Sequence, residues 1–195
     1  MKRVLLAGIL GGVVAFIWSA VVHMLPSTQA MGLSLLNEKE AAVLTSLKAN
    51  VTQPGLYFFP GINLASKPSE SEKNGWVERY RSGPVGLLLY RPVGGEMMEP
   101  GQLIVEFVST LACAFIAAVI LTATVGSYLK RVLIVAAMGL FTWLALSISQ
   151  WNWYGYPFAF ITLDLLDQAI GWLLAGLAMA AMIPPHQSVT PIPTA

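Results

Sequence analysis

Four long apolar stretches, at about 4–25, 103–127, 132–151 and 158–183, contain no lysine or arginine and constrain this chain more than any other feature. Each supplies the roughly 17–25 predominantly apolar residues that a helix needs to cross a bilayer. Every other apolar run is too short. Only 11% of the residues are charged, against about 25% in soluble domains, so composition agrees with pattern on a membrane protein.

Orientation follows from the short loops. Lys2 and Arg3 precede the first helix, Lys130 and Arg131 link the second to the third, and "NWYGYP" before the fourth carries no charge. The positive-inside rule then puts both termini in the cytoplasm, and the plan fits a bacterial inner membrane. Thr28-Gln29-Ala30 resembles a cleavage site, but "VLLAGILGGVVAFIWSAVV" exceeds the about 7–15 apolar residues of a signal peptide, so the first helix reads as an anchor. The expected organisation is a first helix within 1–25, an extracytoplasmic segment 26–102, helices at 103–127, 132–151 and 158–183, and a Pro-rich disordered tail 184–195. In fold class this is an all-α, four-span transmembrane bundle with a small α+β insertion.

Within the insertion, "NEKEAAVLTSLKAN" predicts a helix capped by Asn37, with Glu40 at the capping-box position and Val43, Leu44 and Leu47 as an apolar stripe. "GLYFFPG" and "GPVGLLLYRPVGG" predict buried strands fenced by Gly and Pro. The polar stretch between them predicts one helical turn around Trp76–Tyr80. Two strands are too few to stand alone, so the insertion is expected to pack on the membrane part or on a partner. The single cysteine, Cys113, allows no internal disulfide and no Cys-based zinc site.

Small residues recur every fourth position on the first helix, in the rows Gly8, Gly12 and Gly11, Ala15, Ser19. Thr110, Ala114, Ala118 and Thr122 repeat the theme on the second. Such rows let helices approach closely in lipid, inside the bundle or against another subunit. Trp151, Trp153, Tyr154 and Tyr156 fall where the third helix leaves the membrane, the level of the interfacial aromatic belt. Trp18 and Tyr128 are candidates for the same anchoring role. Gly155 and Pro157 predict a tight turn into the fourth helix.

Two acids interrupt that helix. Asp164 and Asp167 are three apart and share a face. Asp164 lies about 10 Å below Pro157 at about 1.5 Å per residue. Both should face protein or water rather than lipid. By threading, Glu106, His23, Gln150 and Asn152 lie at a similar depth, completing a candidate intramembrane polar cluster. Three carboxylates and a histidine cannot all be charged cheaply there, so protonation, a bound cation or a basic group on another protein is expected. His23, Met24, Met31, Met97 and Met98 form a conceivable soft copper site, although methionine also fills packing gaps. A bis-histidine haem fails on threading, because His23 and His186 lie at opposite ends of the bundle.

No nucleophile–base pair, metal quartet or nucleotide loop stands out, and no cofactor is identified. The net charge of +1 gives no basic footprint for nucleic acid. The leading expectation is a non-enzymatic accessory, assembly or sensing protein. Its partners would be the bilayer and either another protein or further copies of itself, bound through the external cap and the small-residue helix faces. The alternatives are a small oligomeric proton- or cation-coupled transporter using the outer-leaflet carboxylates, and a membrane subunit binding a quinone or other cofactor near the aromatics.

Overall fold

A computed structural model of the chain describes residues 1–25, 31–96 and 98–184. It is mostly helical. The elements are α1 (Lys2–Met24), α2 (Glu40–Asn50), β1 (Gly55–Phe59), α3 (Glu70–Ser82), β2 (Gly86–Tyr90), α4 (Pro100–Ala123), α5 (Tyr128–Tyr154) and α6 (Phe158–Met182). Helices α1, α4, α5 and α6 are long and apolar enough to cross a membrane and suggest an integral, multi-pass membrane protein. The tail from 185, the segment 26–30 and Met97 lie outside the described residues.

The chain divides into two compact units, one holding the four long helices and the other centred on residues 34–96. In the helical unit α1 packs against both α4 and α6. Its small-residue row makes this possible. Gly8 faces Phe115, Gly12 faces Leu111 on α4, and Gly11 faces Met179 on α6, each so closely that a methyl group would overlap its neighbour. Ala15 is buried in the same core with Ala7, Ala117, Ala118, Leu121, Ala175 and Met179. The seam is filled by this chain's own side chains, which leaves no free face there for a partner. Large apolar side chains such as Leu5, Ile9, Ile17, Val105, Ile116, Phe141 and Leu144 remain exposed, as lipid-facing residues are.

Several boundaries differ from expectation. Helix α5 begins at Tyr128, so Lys130 and Arg131 lie in its first turn rather than in a loop. Ser127 caps that turn, its hydroxyl accepting the Lys130 N–H at 3.3 Å. Arg131 is only 3% exposed. Its guanidinium donates to the carbonyls of Ala180, at 2.8 Å, and of Ile183, among the carbonyls left without partners at the end of α6. A cation at a helix C-terminus also complements the macrodipole. Helix α4 starts three residues early because Pro100 sits at its first position and Glu99 forms a capping box with Gln102. Tyr128 donates from its hydroxyl to the Leu177 carbonyl at 2.9 Å, tying α5 to α6.

In the second unit, β1 and β2 pair antiparallel from Gly55↔Tyr90 to Phe59↔Gly86. Helix α3 packs on them: the Trp76 indole donates to the Pro60 carbonyl at 2.9 Å, and the Phe58 and Tyr80 rings are 6.3 Å apart. The strands are not buried, since the facing pair Leu56 and Leu89 is 64% and 73% exposed. Asn37 does not cap α2. Its φ of +49° is left-handed, whereas a capping residue is extended, and a 3-10 turn over Asn37–Lys39 leads into the helix instead. Leu44 of the expected stripe is exposed. The single turn expected near Trp76 is a 13-residue helix, opened by the capping box of Ser69 and Glu72.

Two expected outcomes follow from these contacts. A methyl on Gly139 of α5 would overlap the Gln168 carbonyl of α6, while Gly101 has open space around it. Helix propensity alone favours alanine at either position by about 1 kcal/mol. Gly139→Ala should nevertheless cost about 1–3 kcal/mol and Gly101→Ala should not, as measured by thermal unfolding in a mild membrane mimetic. The second concerns acid. The Ser69 N–H, and after it the Ser69 hydroxyl, hold the Glu72 carboxyl below the usual carboxylate range. A group depressed on folding stabilises α3 fully above its unfolded pKa, and that contribution disappears as pH falls through its folded value. Hydrogen exchange of the first α3 amides should accelerate relative to the rest of the unit as pH drops below the ordinary carboxylate range. Glu72→Gln should flatten that response.

Candidate functional site

The polar groups of the helical unit gather around α6, whose mean hydropathy of 1.5 is the lowest of the four long helices. Asp164 and Asp167 lower it, and each meets a different neighbour. Asp167, with a side chain 10% exposed, faces α1. Its Oδ2 accepts from the Ser19 hydroxyl at 3.2 Å and from the Gln168 amide at 3.4 Å. His23 Nε2 lies 3.7 Å from the same oxygen. Gln168 in turn accepts the Trp172 indole N–H at 3.1 Å, one helical turn on, which fixes amide and ring together. Asp164 faces α5, where it accepts from the buried Ser147 hydroxyl at 3.0 Å. Near it the Trp143 indole donates to the Ile161 carbonyl at 2.7 Å.

The six-residue cluster expected from threading is therefore divided. Asp167 and His23 are brought together, and Glu106 on α4 lines the same crevice as Asp167. Asp164 hydrogen-bonds at the α5–α6 contact but stays within electrostatic reach of His23 and Asp167. Gln150 gives its backbone carbonyl to the Tyr156 N–H, Asn152 is exposed, and neither side chain bonds an aspartate among the described residues. Ser19, expected in the packing row, is also a partner of Asp167. Ser147, Gln168 and Trp172 were not singled out. Their signal was available: polar side chains inside apolar helices seek partners on neighbouring helices or one turn away.

The crevice has a volume of ≈ 170 Å³ and lies between α1, α4 and α6. Ala15 and Ser19 come from α1, Glu106, Ser109, Thr110 and Cys113 from α4, and Asp167, Gln168, Gly171 and Trp172 from α6. Its wall mixes apolar surface from Ala15, Cys113, Gly171 and the Trp172 ring with hydroxyl, carboxylate and amide side chains. Because Ser19 donates to the aspartate and not to the histidine, the trio lacks the order in which a hydrolytic triad activates its serine. It sets a carboxylate on an apolar helix beside an imidazole and a hydroxyl.

Of the copper candidates, Met24 and Met98 are exposed and Met97 is outside the described residues, as is His186. Among the described residues no three His, Cys, Asp or Glu side chains gather as a metal site. The aromatics pair across the α5–α6 turn, where Gly155 takes φ +71°. Trp151 meets Phe158 edge-on at 6.4 Å, and Tyr156 meets Phe160 at 5.3 Å. Trp153 and Tyr154 are exposed at the end of α5. Trp18 is not an exposed anchor: it packs on Gly171, and its buried indole N–H has no partner among the described residues. The chain matches no family model, no curated protein and no solved structure.

Removing the Asp164 carboxylate should expose how far Ser147 depends on it. Asp164→Leu leaves that buried hydroxyl without its acceptor and should cost about 1–3 kcal/mol. Asp164→Asn keeps an acceptor oxygen in place and should recover most of the loss in the same unfolding measurement.

Proposed function

We propose that this chain is a small proton- or cation-handling integral membrane protein in which Asp167 is the exchanging group and His23 its gate to water. In this reading both termini are cytoplasmic, residues 26–102 are extracytoplasmic, and the crevice opens toward the outer side of a bacterial inner membrane. One observation carries it. Asp167 is nine-tenths buried on an apolar helix, and its basic neighbour is not a lysine or arginine but a 54%-exposed histidine. A permanent cation would lock the carboxylate as a structural ion pair, whereas an imidazole can accept or release the proton near neutral pH. Intramembrane acids facing a polar cavity mark ion or proton pathways by default. Four helices make a thin pathway, so the working form is an oligomer.

A second reading, an accessory protein that docks another membrane or envelope protein, is favoured by the unit at 34–96, in which no described residue is buried. The glycine seam of α1 does not support it, because that seam is consumed by internal packing.

In proteoliposomes with a trapped pH indicator, an imposed proton or cation gradient should drive flux through the wild-type protein. Asp167→Asn should abolish it, while Asp164→Asn should retain at least about half. Unchanged flux in folded Asp167→Asn would sink the reading.

A further inference from the structure

We infer that the crevice between α1, α4 and α6 binds a small primary ammonium ion: ammonium itself, or the protonated head of an amine of a few heavy atoms. This deepens the reading of Asp167 as the exchanging group and rests on it. The two oxygens of Asp167 are used unequally. Oδ2 meets Ser19, Gln168 and His23, while Oδ1 makes no hydrogen bond among the described residues. A side chain nine-tenths buried thus lines the crevice with one acceptor uncommitted. Glu106 on α4 lines the same crevice, and its carboxylate has no hydrogen bond or ion pair of its own among the described residues. The nearby Ser109 hydroxyl donates instead to the Glu106 backbone carbonyl at 2.9 Å.

An ammonium group presents three N–H donors and one positive charge. Asp167, Glu106 and Thr110, all lining the crevice, carry acceptors of the matching kind. Charge-assisted bonds to carboxylates are the strong class. Trp172, tethered through Gln168, adds an aromatic wall, a recognition element for organic cations.

Other cations fit less well. A calcium ion asks for about 6–8 converging oxygens, and no three acidic, histidine or cysteine groups converge here among the described residues. A cavity of ≈ 170 Å³ equals roughly five to six water volumes at about 30 Å³ each, room for an ion with a short carbon chain. A quaternary ammonium has no N–H for the free oxygens and would leave them unpaired.

The test uses the full-length protein in lipid nanodiscs, titrated by calorimetry with methylammonium, ethylammonium, tetramethylammonium and Ca²⁺ at matched ionic strength. Methylammonium and ethylammonium should bind, with Asp167→Asn weakening them at least about tenfold. Glu106→Gln, at an exposed position that leaves the packing intact, should weaken them by a smaller factor and serves if Asp167→Asn does not fold. Tetramethylammonium or Ca²⁺ binding as tightly as methylammonium would overturn the inference, as would wild-type affinity in both variants. Flux measured on the same preparations separates the two ideas. Proton flux that depends on Asp167, with no ammonium binding, overturns the ammonium site and spares the proposed function. Ammonium binding without any flux does the reverse.

Discussion

The close approach of α1 to α4 and α6 is the constraint on which the rest of the helical unit depends. Lipid tails are as apolar as leucine, so helices gain little by hiding apolar area from them and must associate through close packing and polar contacts. Gly8, Gly11 and Gly12 supply the first by letting Phe115, Leu111 and Met179 press against the α1 backbone. Ser19 and His23 lie on the same helix, two and three turns further on. Once the glycines set the distance between helices, these two residues reach Asp167. Packing at one end thus positions chemistry at the other.

Much of this was legible in the sequence. Long apolar runs without lysine or arginine identify four candidate spans because a bilayer-crossing helix must satisfy its own backbone. The acids on α6 stood out for the same reason. Their partners did not, because a helical period tells which residues share a face and not which helix that face meets. Asp164 and Asp167, three apart, diverge to α5 and α1. In the sequence Arg131 reads as a loop charge because its partners are invisible there: the carbonyls it bonds belong to Ala180 and Ile183, about fifty positions away. The capping box at Ser69 and Glu72 is a different kind of miss, since Ser-x-x-Glu is a local signal.

Arg131 and Asp167 solve the same problem in opposite ways. Each is an ionisable side chain buried in an apolar unit. Arg131 cannot lose its proton, and backbone carbonyls at the end of α6 accept from its two terminal nitrogens, while among the described residues its buried Nε has no partner. Asp167 is instead surrounded by a hydroxyl, an amide and an imidazole. A hydroxyl or amide adjusts its donor to a charged or neutral carboxyl with little cost, whereas a guanidinium would enforce the charged one.

The segment 34–96 poses the opposite question, because its sequence gives it folded elements without a core. Its two strands carry neither charge nor proline between Gly55 and Phe59 or between Gly86 and Tyr90, the devices that usually blunt sheet edges. A lone pair of strands is marginal in water. What holds this unit is a handful of contacts: the cap at Ser69, the β1–β2 ladder, the Trp76 bond to Pro60 and the ring contacts among Phe58, Trp76 and Tyr80. These contacts define shape with little buried area, and the facing pair Leu56 and Leu89 stays exposed.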